Sequence, residues 1–281
     1  KKTSVKKTSV KKTAVKKTAA KKTAAKKTVG GLAAVPQLDA PPPAELVTRT
    51  KEIHRRLARA QPDPQVELDH QDAWQLLIAT ILAARSNDRI INAITPALFA
   101  RWPTPQALAS AAPADVEQVV KRSGFFRQKA RAIQSTATAV VEQFGGEVPR
   151  TMEQLVTLPG VARKTANVVL SSVFGVGSGI IVDLHVTRLV ERLGLTADKD
   201  ARRIEALLCA LFPRRAWAAV GHRLVLHGRH VCTARKPRCA RCPLHEVCPS
   251  AAESPAGRWT ERARWEQRLT EARGRLDPAE T

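Results

Sequence analysis

Four cysteines fall within seventeen residues near the C-terminus: Cys232, Cys239, Cys242 and Cys248, spaced C-x6-C-x2-C-x5-C. Thiolates this close in sequence reach one small inorganic centre without a large fold to gather them. Zinc usually takes two C-x2-C knuckles separated by a longer loop, and only Cys239–Cys242 forms such a pair. The unequal gaps suit a loop wrapped around a cube-shaped 4Fe–4S cluster, each thiolate holding one iron. Disulfides packed so densely would need an oxidising compartment, which is not expected here because residues 1–28 lack the apolar centre of a secretory signal.

The chain of 281 residues is long enough for one large or two medium domains with a proper core. Its formal charge of +22 points to a polyanionic partner, most simply nucleic acid. Residues 1–28 hold twelve lysines and no acid, in the repeat KKTSV, KKTSV, KKTAV, KKTAA, KKTAA, KKT. Subtracting those twelve from +22 leaves about +10 on the remainder, still enough to bind DNA. The repeat has too few large apolar groups to offset its ordering entropy, so residues 1–43 read as a disordered basic tail and linker. Sequence-independent phosphate contact is its expected role. No run of apolar residues is long enough to span a membrane. The expected location is the bacterial cytoplasm, associated with the nucleoid; the tail is also like some organelle transit peptides, although it has Lys and no Arg.

Helical periodicity begins after Pro41-Pro42-Pro43. Leu46, Ile53 and Leu57 share one face of a first helix that Pro62 and Pro64 stop. Ala73–Ala84 is almost wholly apolar and reads as a buried central helix. Thr104-Pro105 supplies a cap and a first-turn proline, Gly124 and Gly145-Gly146 supply stops, and Thr151 with Gln154 fits a capping box. Cys209 lies among Ile204, Leu207 and Leu208 and reads as a core thiol. No sustained period-two pattern occurs. The chain is therefore expected to be all-α, with about ten helices and short loops. The segment 250–281, with Trp259, Trp265, Leu269 and Leu276 at loose helical spacing, reads as a C-terminal extension and one further surface helix.

Leu158-Pro159-Gly160-Val161-Ala162-Arg163-Lys164-Thr165-Ala166 joins two apolar helical stretches by a tight turn. Glycine there lets backbone N–H groups approach a ligand, and the following helix offers its unpaired donors to an anion. Such a turn grips a DNA phosphate without reading sequence. Lys164, in the first turn of the second helix, is by position either a phosphate contact or an amine nucleophile. Asp183 opens Val182-Asp183-Leu184-His185 and has a sufficient structural reason to be there as a helix cap.

Taken together, the cysteine spacing, the hairpin and the V-D-x-H segment resemble the endonuclease III family of DNA glycosylases over about Ala44–Pro249. The resemblance implies two helical lobes with a DNA-binding cleft between them. Residues 66–176 would form a six-helix lobe carrying a helix-hairpin-helix; residues 44–65 and 177–249 would form the iron–sulfur cluster lobe. It also implies that Lys164 is the Schiff-base lysine and Asp183 the catalytic carboxylate that stabilises positive charge on the sugar. The lysine must shed its proton before it attacks; the helix N-terminus and Arg163 favour that, and DNA phosphates oppose it. DNA contacts are implied for Leu158, Gly160, Ala162 and Arg163 of the hairpin, and for Arg235, Lys236 and Arg238 of the cluster loop.

A glycosylase takes its target nucleotide out of the stack and fills the gap. Arg85 stands where the family has a gap-filling glutamine, and Phe125 where it has an apolar wedge. Three departures stand out: Ala162 replaces a second glycine, Leu184 replaces a threonine, and Phe126 replaces a tyrosine. The implied activity is removal of oxidised or saturated pyrimidines from double-stranded DNA, followed by β-elimination at the abasic site, by a monomer. Two other readings stay open at this point: a related glycosylase for mismatched or deaminated bases, and a cluster-bearing DNA protein without catalysis.

Overall fold

The computed structural model describes residues 33–252. The lysine repeat and most of the C-terminal extension lie outside these residues. Among the described residues there are eleven α-helices and no strand. In chain order they are α1 (Ala44–Ala60), α2 (Ala73–Leu82), α3 (Asp88–Arg101), α4 (Pro105–Ala109), α5 (Pro113–Val120) and α6 (Phe126–Phe144), then α7 (Met152–Leu155), α8 (Arg163–Val173), α9 (Leu184–Arg192), α10 (Ala201–Leu211) and α11 (Trp217–His230). The all-α expectation holds.

Local chemistry sets most of the boundaries. Asp72 caps α2 by accepting the Gln75 N–H at 2.8 Å, and Thr104 caps α4 through the Ala107 N–H at 3.2 Å, with Pro105 in the first turn. Thr151 accepts the Gln154 N–H, and its hydroxyl donates to Gln154 Oε1. That is one half of the capping box, with the glutamine turned to the hydroxyl instead of the backbone. Gly145 ends α6 at φ 65°.

The buried apolar side chains form two clusters. One gathers α2 to α8 around Leu76, Leu77, Ile78, Leu98, Ile133 and Leu170. α2 is buried on every side from Leu76 to Leu82, as its almost wholly apolar sequence requires. The second cluster unites α1 with the chain from Ile180 onward, through Ile53, Leu57, Leu189, Leu208 and Leu224, and reaches Leu244 in the cysteine loop. Cys209 is only half-buried at the rim of this core, where burial pushes its thiol up to about 12.

The described part of the linker before α1 packs on both cores. Ala33 is buried in the first core and Val35 packs on the second. The Ala33 carbonyl also accepts a bond from Arg163 at 2.9 Å. A segment without helical periodicity is held here by apolar contacts and one strong donor, which composition does not reveal.

Candidate active site

α7 and α8 are joined by a hairpin whose tip is Gly160, at φ 76°. A side chain there would meet Ala132 Cβ at 3.3 Å and strain the left-handed backbone as well, so glycine is required. The Thr136 hydroxyl of α6 donates to the Pro159 carbonyl at 2.5 Å and anchors the turn to the core. Ala162 adopts φ −88°, ψ 167°, ordinary extended backbone that alanine occupies freely. Replacing the family's second glycine therefore leaves the hairpin unstrained. No side chain caps α8, and Gly160 and Ala162 are exposed.

Two hairpin residues expected at DNA are elsewhere. Leu158 is buried, its N–H bonded to Leu155 and its carbonyl to the Val161 N–H, which leaves it nothing to offer a ligand. Arg163 points inward: its guanidinium makes paired bonds of 2.8 Å to both Glu205 oxygens and donates to the Ala33 and Ser178 carbonyls. A carboxylate 42 residues away, joined also by Asn167 at 3.2 Å, takes the charge that sequence position assigned to phosphate. The same pairing neutralises the cation expected to help Lys164 lose its proton.

Lys164 is exposed at the head of α8, and Asp183 is half-buried at the head of α9. They line a single cleft between the two cores, together with Thr80, Val168, Ile181 and His222. Asp183 Oδ1 accepts the N–H groups of His185 and Val186 at 2.8 and 2.9 Å, so the helix end orients the carboxylate. α9 crosses α11 so closely that a Cβ on Gly228 would lie 2.9 Å from that of His185. Across the cleft floor Arg229 joins Glu67 at 2.6 Å and Asp88 at 2.5 Å, a second tie between the cores.

His222 was not legible as a site residue, since α11 also carries His227 and His230 and nothing local singles one out. It is buried, with Nε2 2.8 Å from the Ser171 hydroxyl and 3.2 Å from that of Ser172. Burial, and secondarily the charge of Lys164, pushes its imidazole down to about 4. It faces the cleft as a neutral ring.

Among the described residues, Arg85 and Phe125 are the two non-glycine residues with positive φ, at 57° and 50°. Arg85 is exposed in the turn between α2 and α3, whose neighbours Ala83 and Ser86 line the cleft. Phe125 is the cap residue of α6, while Phe126 is buried in the first core. Each left-handed side chain costs about 1–2 kcal/mol, and such strain concentrates at functional positions.

The four cysteines surround one cavity, with Leu189, Leu193 and Leu244 as apolar wall. Among the described residues no three metal-binding groups converge tightly enough for a single ion. Arg192 Nη1 donates to Cys232 Sγ at 3.2 Å and the Leu244 N–H to Cys242 Sγ at 3.4 Å. Burial pushes the Cys242 thiol up to about 11, so thiolates here need cationic metal as compensation. Arg235, Lys236 and Arg238 are exposed on the same loop.

Comparison with known proteins first defines the class. Residues 78–214 match the HhH-GPD superfamily of base excision DNA repair proteins, and residues 232–248 match the iron-sulfur binding domain of endonuclease III. The endonuclease III of Synechocystis sp. is 48% identical over 196 residues, covering 70% of this chain and 90% of the relative. A solved non-covalent endonuclease III–DNA complex superposes with TM-score 0.69 at 36% identity, covering 73% of this chain and 96% of that one. A trapped endonuclease III–DNA covalent intermediate superposes with TM-score 0.67 at 37% identity, covering 72% and 96%. The chain belongs to the endonuclease III family. It is a base excision repair DNA glycosylase that binds DNA and carries an iron–sulfur cluster. Among the described residues no helix is long and apolar enough to cross a membrane.

Proposed function

We propose that this protein removes oxidised or saturated pyrimidines from double-stranded DNA and then cleaves the abasic site by β-elimination through Lys164. The observation that carries the reading is the meeting of Lys164 and Asp183, from the heads of two helices on separate cores, in one cleft. The relative solved as a covalent intermediate with DNA supports a covalent route in this fold.

The chemistry follows from the groups present. The neutral Lys164 amine attacks the sugar C1′ as the bond to the base breaks, and the base leaves with the electron pair and a proton. Asp183 stabilises the positive charge that grows on the sugar and assists the proton transfers. Loss of a proton from the amine and opening of the sugar ring give an imine. Removal of a C2′ proton then expels the 3′ phosphate, and water releases Lys164. Arg85 and Phe125, on their left-handed turns, are the groups that enter the duplex as the nucleotide leaves it.

In this reading Cys232, Cys239, Cys242 and Cys248 hold a 4Fe–4S cluster, whose role is to fix the loop bearing Arg235, Lys236 and Arg238 against phosphates. Gly160 and Ala162 offer backbone N–H groups to a further phosphate. The two lobes correspond to residues 66–176 and to 44–65 with 177–249. The protein acts as a monomer in the bacterial cytoplasm, on the nucleoid.

Borohydride trapping on duplexes bearing saturated pyrimidine, deaminated and mismatched bases tests the assignment. Trapping is expected with saturated pyrimidines, and its loss in Lys164→Gln with lesion binding retained. Trapping by that variant would move the nucleophile elsewhere; preference for mismatches would select the other glycosylase class. Asp183→Asn is expected to release base far more slowly at unchanged DNA affinity.

A further inference from the structure

Lys129 lies in the first turns of α6, outside the cleft, and the chemistry above makes no use of it. Its side chain is buried against the first core. Among the described residues no carboxylate pairs with it; its Nζ donates to the Ser123 carbonyl at 2.5 Å. Burial pushes the amine down to about 8. A methionine or leucine would fill that space without desolvating a cation. What lysine alone supplies there is a donor at the end of a long stem.

The Ser123 carbonyl belongs to the turn that presents Phe125. Ser123 is itself buried, so without this donor its carbonyl would lose the partner it has in the fold. The turn then passes through two successive left-handed residues, Gly124 at φ 69° and Phe125 at φ 50°. The second is strained for phenylalanine and relaxes unless its flanks are held. Lys129 holds both flanks. Its backbone N–H bonds the Phe125 carbonyl at 3.1 Å, and its side chain bonds the Ser123 carbonyl.

We propose that Lys129 is a positioning residue for Phe125, its buried amine locking the Ser123–Phe125 turn so that the phenyl ring enters the duplex. The inference rests on the wedge assignment of Phe125 given above. It also states why strain at this position persists: the clamp is built into the same helix that the turn begins.

A double-mutant cycle on extrusion tests it, with holoprotein and a duplex carrying 2-aminopurine beside the lesion. Lys129→Met is expected to slow the fluorescence rise by up to about a hundredfold, the order a displacement near 1 Å produces, and Phe125→Ala by at least as much. The double variant should be no slower than Phe125→Ala, because a lock without its ring has nothing to act on. In Lys129→Met, affinity for undamaged duplex should stay within about twofold, and single-turnover excision from an already unstacked lesion in a bulge should match wild type. Multiplying effects in the double variant, or extrusion at the wild-type rate in Lys129→Met, overturns the proposal. Wild-type extrusion by Phe125→Ala would instead overturn the wedge assignment itself. Lys129→Gln, which keeps a donor on a shorter stem, serves if the methionine variant fails to melt cooperatively with its cluster absorption intact.

Discussion

The two cores hold their functional residues by different means. In the first, packing and single hydrogen bonds do it: α2 is enclosed from Leu76 to Leu82, Thr136 anchors the Gly160 turn, and Lys129 anchors the turn of Phe125. In the second, arginines do it. Arg49 donates to the Leu193 and Gly194 carbonyls, Arg223 to Gln61 and Pro62, and Arg192 to Thr233 and Ala234. Among the described residues, the loop from Cys232 to Ala251 contains only short 3-10 turns and one fully enclosed apolar side chain, Leu244. A region with so little apolar burial lacks a hydrophobic reason to keep one shape. Its order depends on bonds to carbonyls and on the metal centre that its thiols face.

That contrast is most exposed to removal of the cluster. Chelation of iron, or Cys239→Ser, is expected to lower hydrogen-exchange protection in α9 and the cysteine loop by about a hundredfold or more, with little change in α2 and α6. Equal loss in both cores would show that they do not differ in this way. Next in size is the buried pair that joins them. Glu205→Ala strands the Arg163 guanidinium at a site only 6% exposed and is expected to cost about 3–5 kcal/mol in chemical denaturation. A cost under about 1 kcal/mol would place water at that site.

A smaller effect depends on pH. His222 is held near 4, against 6.5 when unfolded. Between those values the unfolded chain binds a proton that the native ring refuses, so stability falls as pH drops from about 6.5 toward 4 and is intact above that window. His222→Asn should remove up to roughly 3 kcal/mol of this acid sensitivity. Melting curves that fall equally steeply with acid in the variant would assign the sensitivity to other groups. The smallest effect is expected at Ala162. Since its backbone is already extended, Ala162→Gly should lower stability by less than about 1 kcal/mol and leave phosphate grip unchanged. A tighter grip in the glycine variant would mean that the methyl group limits approach.

How far the sequence reached depended on the range of the interaction. The cysteine loop, the Thr104-Pro105 helix start and the Gly160 hairpin each depend on residues a few positions apart, and each was legible. Lys164 and Asp183 were picked out by motif, although their convergence needed both lobes. Arg163 was misplaced because its partner lies on α10; beside a hairpin lysine, nothing local marks an arginine for burial. Leu158 was misplaced similarly, since a leucine before proline fits a turn or a core. The left-handed backbone at Arg85 and Phe125 has no signature in residues that ordinarily avoid it. Ala33 and Val35 were read as linker because their neighbours are Gly and Pro, whereas the surfaces they cover are assembled from distant helices.

α9 begins at the Asp183 cap and ends at Arg192, whose guanidinium touches Cys232 Sγ and whose carbonyl lies 3.6 Å from Cys248 Sγ. Nine residues of helix make a strut about 14 Å long. With its foot in the cysteine loop and the carboxylate at its tip, the helix is a lever arm. A tilt of about 5° at the foot moves the tip by about 1 Å, enough to change a rate by about a hundredfold. The tolerance on Asp183 is therefore set angularly, by how firmly two sulfur atoms and one guanidinium hold the far end of a short rod.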